Sequence, residues 1–207
     1  MVPTPRSFAT LDPNRTAPSI VLSNGNLTAT PGAPSDSNGD NTFTTTSKSS
    51  GKKYIEVSIP TFMFDISDIA FGVATAAHGL QGTFLGDTSD SFGFFPASAN
   101  PTHWSIWLNG NIGGGDFDAA YGGAGGIVWG IAFDFDNKEC WVRPDGGAWS
   151  RGGDPNTRSL PIDFSAIDVG PYFFGLNTFH SGEVATVNLG QSAFLRTVPT
   201  GYSSWST

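Results

Sequence analysis

The chain has 207 residues, which is enough for one sandwich-sized domain with a single core. Its 18 acidic and 10 basic residues give a formal net charge of −8, so nucleic-acid phosphates and anionic lipid surfaces are excluded as expected partners. The sequence contains neither a run of about 18 apolar residues nor a basic start followed by an apolar stretch, which predicts no membrane span and no cleaved signal peptide.

The first 18 residues mix Pro, Thr, Ser, Asp and Asn without an apolar period. This pattern predicts an N-terminal arm outside the core, and residues 19–207 are then expected to form one domain. The first hairpin of that domain begins at Ile20 and turns at Asn24 and Gly25. Residues 31–41 are expected to form a polar loop.

Short stretches of alternating apolar residues predict most of the remaining strands. In Lys53–Ile59, the side chains of Ile55, Val57 and Ile59 are expected to face the core. Further strands are predicted at Ile69–Val73, Phe92–Phe95, Trp104–Leu108, Tyr172–Leu176 and Val184–Leu189.

The clearest element is a hairpin in the middle of the chain. Large apolar residues alternate through Ile127–Phe135, which predicts a half-buried strand. A turn at Asp136–Lys138 leads to a second strand that ends at Pro144–Gly147. Because no window shows a helical period, the sequence predicts an all-β protein of two packed antiparallel sheets.

Six segments carry a family resemblance, and in chain order they are SNGNLTAT (23–30), SSGKKYIEVSI (49–59), FGVATA (71–76), FLGDTSDSFGFF (84–95), WGIAFDFDNKECWV (129–142) and VNLGQSAFLRTVPTGYSSW (187–205). Together they resemble a SPRY domain. The segments GGAWSRGGDP (146–155) and PTGYSSW (199–205) are similar to the variety found in bacteriophage virion proteins. The resemblance implies a concanavalin-like bent β-sandwich, or SPRY jelly roll, that binds partners without a cofactor.

On this basis we expect a non-enzymatic structural protein on the surface of a phage particle. It would be made in the host cytoplasm, be present in several copies, and either decorate the capsid or form part of a head or tail fibre. Residues 1–18 are expected to dock against neighbouring capsid or tail subunits. Two alternatives remain: a lectin-like adhesin at the tail that binds a host glycan or protein, and a polysaccharide-degrading enzyme.

An enzyme of the last kind needs two carboxylates facing each other across the sugar. The three glutamates, Glu56, Glu139 and Glu183, lie on separate segments. Asp134 and Asp136 have the spacing of neighbours on one strand face, but aspartates before a turn are typical of hydrogen bonding alone. We therefore predict no catalytic residue.

Metal and nucleophile patterns are weak as well. His78, His103 and His180 lack the spacing of a metal triad and are expected on the surface or in loops. Cys140, the single cysteine, is predicted to pack on a strand. The acidic segment Asp36–Asn41 contains oxygen ligands that suit calcium but lacks the ending of an EF-hand loop, and the glycine-rich run 110–126 is expected to be a surface loop.

Aromatic residues in polar or glycine-rich segments are the candidates for partner binding, because a planar ring can stack on a sugar or anchor a protein interface. Neighbouring side chains could add hydrogen bonds. The residues chosen on these grounds are Trp107, Phe117, Tyr121, Trp149, Arg151, Phe179 and His180. No metal ligand is predicted among them.

Overall fold

The computed structural model describes residues 8–32, 38–60, 69–96, 103–116, 126–182 and 184–207. Two antiparallel sheets pack face to face and enclose one large apolar core, which confirms the predicted all-β sandwich. Within the described ranges, no helix is long and apolar enough to cross a membrane.

The first sheet has seven strands, in the order β1-β4-β13-β6-β7-β8-β9. Their bounds are Leu11–Thr16 (β1), Asp40–Lys48 (β4), Tyr172–Thr178 (β13), Ile69–Ala74 (β6), Ser91–Pro96 (β7), His103–Leu108 (β8) and Asn111–Asp116 (β9).

The second sheet has the strand order β12-β11-β10-β5-β14-β3-β2, and β15 pairs in parallel with β5. Its strands are Ile162–Asp163 (β12), Glu139–Pro144 (β11), Ile127–Asp134 (β10), Lys52–Ile59 (β5), Ala185–Asn188 (β14), Thr28–Pro31 (β3), Ile20–Ser23 (β2) and Ser203–Ser204 (β15). A short 3-10 turn, Ser150–Gly152, lies between β11 and β12.

The predicted hairpins are confirmed. The β10–β11 pair runs in regular register from Trp129 opposite Pro144 to Asp134 opposite Glu139. In the β2–β3 turn, Asn24 and Gly25 adopt φ angles of 52° and 64°, which asparagine and glycine tolerate better than other residues.

The expectation that residues 1–18 form an arm outside the core is wrong for the described part of that segment. Leu11–Thr16 forms the edge strand β1 beside β4, and the side chains of Ala9, Leu11 and Ala17 lie in the main core. These three residues are each buried, but they are too widely spaced among prolines and polar residues to show an apolar period in the sequence. Residues 1–7 lie outside the described ranges.

Two further long strands were not predicted, nor were the two-residue strands β12 and β15. β4 replaces the end of the expected 31–41 loop. Its buried Thr42 hydroxyl bonds to the Thr16 hydroxyl at 2.7 Å, and its buried Thr44 hydroxyl accepts from the Phe174 backbone N–H at 3.1 Å. In the expected glycine-rich surface loop, residues 111–116 form β9. A Cβ atom at Gly114 would lie only 2.6 Å from the Trp104 carbonyl oxygen, so glycine lets this strand pack closely.

β10 is buried on both faces, not half-buried as predicted. Trp129, Ile131 and Phe133 face the main core, while Ala132 and Asp134 on the opposite face are also fully buried. The C-terminal segment 190–207 covers this outer face. It contributes Phe194, Val198 and Tyr202 to a second apolar cluster with Tyr54, Ala132 and Trp141.

Two contacts fix the C-terminal segment in place. Glu56 of β5 accepts hydrogen bonds from the backbone N–H groups of Leu195 (2.8 Å) and Arg196 (2.7 Å). Further on, Trp205 re-enters the main core, where it is fully buried, and its indole N–H donates to the Thr46 carbonyl at 3.1 Å. Residues 190–207 are thus an integral layer of the fold.

The outer face of the first sheet is covered in a similar way by residues 75–90. Leu80 and Leu85 from this segment pack against Phe43, Ala74 and Phe173. The Asn41 side chain of β4 donates to the carbonyls of Gly79 (3.2 Å) and Thr83 (2.8 Å), which holds the segment against the sheet.

Replacement of the buried Leu11 by alanine tests whether β1 belongs to the core. We expect Leu11→Ala to lower the free energy of unfolding by about 2–5 kcal/mol, because it removes buried methyl groups and leaves a cavity. Leu195, which is 66% exposed, provides the matched control, and Leu195→Ala should change stability by less than about 0.5 kcal/mol in urea titrations. Equal effects of the two variants would show that β1 does not contribute to the core.

Glu56→Ala should lower the free energy of unfolding by about 2–4 kcal/mol, because the Leu195 and Arg196 N–H groups lose their acceptor beneath a covered surface. Glu139→Ala removes only the ion pair with the partly exposed Arg158 and should cost less than about 1 kcal/mol. Denaturant unfolding of both variants checks this difference. A Glu56→Ala loss no larger than that of Glu139→Ala would contradict the anchoring role.

Candidate functional site

The strands that flank six connections end at the same end of the sandwich, which we call the loop end. These connections join β1 to β2, β3 to β4, β5 to β6, β7 to β8, β9 to β10, and β13 to β14. Strand register establishes this, since Ile59 lies opposite Ile127 in one sheet and Thr178 lies opposite both Ile69 and Asp40 in the other. The end of β13 is linked by residues 179–184 to the start of β14, which places these ends of the two sheets on the same side. Loops gathered on a rigid scaffold are a common contact surface.

Phe179 and His180 lie at the loop end, directly after β13. The Phe179 ring is half-buried and packs against Phe95 with ring centroids 6.0 Å apart, whereas His180 is exposed. Phe117 and Tyr121 lie outside the described residues. The strands on either side of them reach the loop end at Asp116 and Ile127.

Trp149 and Arg151 lie on the flank of the sandwich, between β11 and β12. The Trp149 ring is half-buried, and the Arg143 guanidinium lies 4.2 Å from its centroid, so one face of the indole is already covered. Arg151 is exposed, donates to the Pro161 carbonyl at 3.1 Å, and has a φ of 61°. Its conformation is therefore held by the turn around it.

Trp107 lies away from the loop end, on the outer face of the first sheet near the β8–β9 turn. It is half-buried and contacts Phe84 edge to face at 5.0 Å, and Phe84 in turn lies 6.0 Å from Phe95. These contacts make an aromatic row that reaches Phe179 at the loop end. Ile112, opposite Trp107 in register, is 65% exposed.

The seven predicted residues thus do not form one site. Of the five that the structure describes, Phe179 and His180 lie at the loop end, Trp149 and Arg151 on the flank beside β11, and Trp107 beside β9. Sequence reasoning missed Phe84 and Ile112. Ile112 could have been noticed as the single large apolar residue in NIGGGD, but its exposure depends on β9 being an edge strand.

The candidate carboxylates hold the fold together. Asp134 is fully buried and accepts hydrogen bonds from the Asn137 side chain (2.9 Å) and backbone N–H (3.2 Å), with the Lys52 ammonium 3.6 Å away. Asp136 lies in the turn beyond the strand end and accepts from the Gly51 N–H at 2.9 Å. The two side chains therefore do not share a strand face as their spacing predicted.

Glu139 is paired with the Arg158 guanidinium through two hydrogen bonds of 2.8 Å each. Glu56 anchors the C-terminal segment. Burial raises the pKa of the neighbouring Tyr54 to about 12; the Glu56 charge adds to this shift, and Arg143 opposes it. Glu183 lies outside the described residues.

His78 lies in a loop, the 75–90 connection, which is one of the two expected locations. Its imidazole is nevertheless buried against Phe43, and Nδ1 is 2.7 Å from the Asp90 carboxylate. His103 and His180 are exposed. Cys140 is buried and burial raises its thiol pKa, which confirms a packing role.

Within the residues that the structure describes, no group of three or more His, Cys, Asp or Glu side chains could hold a metal ion. Part of the calcium candidate Asp36–Asn41 lies outside that portion. Asp40 is buried and accepts a hydrogen bond from the Ser19 hydroxyl, and the Asn41 amide bonds to the 75–90 segment. These two side chains thus contribute to packing.

No protein-family model matches the chain, and no curated protein matches its sequence. Among solved structures, the SPRY domain of human HERC1 superposes with a TM-score of 0.59 at 13% identity, covering 88% of this chain and 99% of that one. The fold is SPRY-like. The stonustoxin structure matches this SPRY-like sandwich with the same TM-score at 16% identity, covering 88% of this chain and 27% of the toxin chain.

The His78–Asp90 pair predicts a pH effect on stability. Burial of Asp90 opposes its ionisation, but hydrogen bonds from Thr88, His78 and Ser91 and the His78 charge outweigh it and lower the Asp90 pKa. Because the folded-state pKa is depressed, the stabilisation is fully present above the unfolded pKa of about 3.9 and is lost as pH falls through the folded value. Asp90→Asn should therefore cost about 1 kcal/mol near neutral pH and less below about pH 4.

Unfolding by urea at several pH values checks this, with Asp163→Asn, an exposed position, as the control. A difference between wild type and Asp90→Asn that stays constant into acid would contradict the assignment.

Proposed function

We propose that the protein is a non-enzymatic binding module displayed on the surface of a bacteriophage particle, with the loop end as its contact surface. The observation that carries the proposal is that the strands flanking six connections end together at one end of a sandwich whose central strands are covered on both outer faces by the protein's own chain. Because those faces are covered, the loop end is the part of the molecule best placed to vary its contacts without disturbing the core.

The phage setting rests on the resemblance of residues 146–155 and 199–205 to segments of virion proteins. In this protein, the first of these segments forms the turn that carries Trp149 and Arg151, and the second covers β10 and returns to the core at Trp205. The proposal therefore gives the second segment a structural role and leaves the first exposed beside β9.

The structural engagement of the carboxylates supports a binding role over a hydrolytic one. Sugar hydrolysis needs two carboxyl groups that face a common cleft, one of them as a proton donor. Here Glu56 holds backbone N–H groups, Asp134 is enclosed by Asn137 and Lys52, and Glu139 is paired with Arg158. Each of these groups would have to give up a structural contact in order to act on a substrate.

The distribution of tryptophan favours a protein partner over a glycan. Four of the six tryptophans, Trp104, Trp129, Trp141 and Trp205, are fully buried. Trp107 and Trp149 are half-buried, and each already contacts another side chain. Stacking on a sugar ring requires an accessible aromatic face, whereas a protein interface can use the half-buried rings together with the backbone of the loops.

Rebinding to phage particles that lack the protein tests the proposal. His103 and His180 are both exposed at the loop end, and His103→Glu combined with His180→Glu adds two negative charges there. We expect this double variant to bind at least about tenfold more weakly than wild type, measured by co-sedimentation, since unpaired charges at an interface are costly.

Ala166 and Val169 are exposed in the β12–β13 connection at the opposite end, so Ala166→Glu with Val169→Glu is the control of equal charge. This control should rebind like wild type. Absence of the protein from purified particles, or equal weakening by both double variants, would contradict the proposal. Release of oligosaccharides from host polysaccharide by the purified protein would contradict its non-enzymatic part.

A further inference from the structure

The 75–90 segment covers the outer face of the first sheet only as far as β8. Its backbone lies directly over β7, since a Cβ atom at Gly93 would lie 2.2 Å from the Leu85 carbonyl oxygen. Its last contact across the sheet is with Trp107 of β8, whose ring meets Phe84 edge to face at 5.0 Å. The outer face of β8 and β9 beyond this contact is left without a cover from the segment.

Residues of different size form a shallow depression on this part of the sheet. Trp107 lies opposite Ile112, and one step nearer to the loop end Ser105 lies opposite Gly114. Ser105 and Gly114 project little from the sheet, whereas Trp107 and Ile112 rise beside them. Phe95, opposite Ser105 on β7, borders the depression on the inner side. Because neighbours on one face of a strand are about 6.5 Å apart, the depression has room for one long side chain.

The depression is open to solvent even though the 150–152 turn lies against β9. With that turn in place, Ile112 is 65% exposed, Gly114 is exposed and Trp107 is half-buried. The guanidinium of Arg151 in the turn donates to the Pro161 carbonyl at 3.1 Å. The turn therefore leaves an exposed apolar side chain beside a half-buried indole.

The charge of this part of the molecule is one-sided. Between Lys53 and Lys138 the sequence contains no lysine or arginine, and this stretch supplies β6, β7, β8 and β9. Asp87 follows Gly86, whose backbone packs against Trp107, and its carboxylate accepts from a threonine hydroxyl at 3.2 Å. The acidic residues of the stretch are Glu56, Asp65, Asp68, Asp87, Asp90, Asp116, Asp118, Asp134 and Asp136. Such an imbalance attracts cationic groups and repels anionic ones.

An arginine side chain matches this combination of shape and charge. The guanidinium is planar, weakly hydrated and always charged, so it packs on an indole and on apolar side chains without losing its attraction to carboxylates. It is narrower than a sugar ring, and the accessible part of the half-buried Trp107 is therefore sufficient for it. The Ser105 hydroxyl on the floor of the depression supplies a hydrogen-bond acceptor.

We propose that the β8–β9 depression receives an arginine side chain from a basic segment of a partner protein. This assignment rests on the binding role proposed above and adds the chemical class of the partner. The depression lies beside the loop end, which β8 and β9 reach at His103 and Asp116, so one partner can contact both surfaces. A second copy of the chain is a poorer occupant, because each copy has a net charge of −8.

Titration of the purified protein with two short peptides, followed by nuclear magnetic resonance at low salt, tests the proposal. The peptides are hexa-arginine and hexalysine, each acetylated and amidated. We expect a dissociation constant of about 0.1–1 mM for hexa-arginine and weaker binding of hexalysine by about two- to fivefold, because the indole favours the guanidinium. The signals of the Trp107 indole N–H and the Ile112 methyl groups should shift, and added salt should weaken binding.

Two exposed positions provide matched variants. Ile112→Lys places a positive charge in the depression and should weaken hexa-arginine binding by at least about tenfold. Val21 on β2 is equally exposed, at 64%, and Val21→Lys makes the same change of charge elsewhere, so it should weaken binding by less than about twofold. Trp107→Leu keeps an apolar side chain but removes the indole, and it should abolish the preference for arginine over lysine.

Absence of binding at millimolar hexa-arginine would overturn the proposal, as would equal affinity for the two peptides or equal effects of the two lysine variants. Shifts of the Trp107 and Ile112 signals on dilution of the protein without peptide would overturn it too, since they would assign the depression to a second copy. Because no particle takes part in this experiment, its failure leaves the result of the rebinding experiment unchanged, and the two proposals can fail separately.

Discussion

The structure depends on covering both faces of the paired strands β5 and β10. Only then are the side chains on both faces of this pair shielded from water. Ile55, Val57 and the large residues of β10 cover one face through the main core. Residues 190–207 cover the other. The buried carboxylate of Glu56 makes the second cover possible, since it accepts two backbone N–H groups from an irregular segment that would otherwise lack partners. Trp205 then connects this outer layer back to the main core.

The same arrangement explains why residues that look chemically active have structural roles. A sheet with both faces covered must satisfy every polar group on its outer face. Asp134 does so with Asn137 and Lys52, and Glu139 with Arg158. On the opposite sheet, the 75–90 segment is held by Asn41 and by the contact of His78 with Asp90.

Much of this fold can be predicted from the sequence, because the alternation of apolar and polar residues and the choice of turn residues determine strands and hairpins over short stretches of chain. The β10–β11 and β2–β3 hairpins are examples. The sequence does not reveal β1 and β4, since their burial rests on contacts between distant residues. Leu11 is one apolar residue near a proline, and the buried hydroxyls of Thr42 and Thr44 find their partners on other strands, in the Thr16 hydroxyl and the Phe174 backbone N–H. The burial of both faces of β10 has the same origin, because its cover lies about sixty residues farther along the chain.

The candidate site was harder to predict than the fold. Aromatic residues in glycine-rich or polar segments were chosen because burial is not assured there, and half-burial of Trp107, Trp149 and Phe179 agrees with that reasoning. Their grouping depends on which strand ends lie together, and this follows from sheet order, not from local sequence. Exposure of Ile112 depends on β9 being the last strand of its sheet.

Hydrogen exchange measured in the native state at low denaturant concentrations tests the central role of the C-terminal cover most directly. If residues 190–207 are an integral layer, the amides of β5, β10 and β15 should exchange with one common opening free energy that equals the global free energy of unfolding. Exchange of the Leu195, Arg196 and β15 amides at a much lower free energy, with β5 and β10 still protected, would contradict this account.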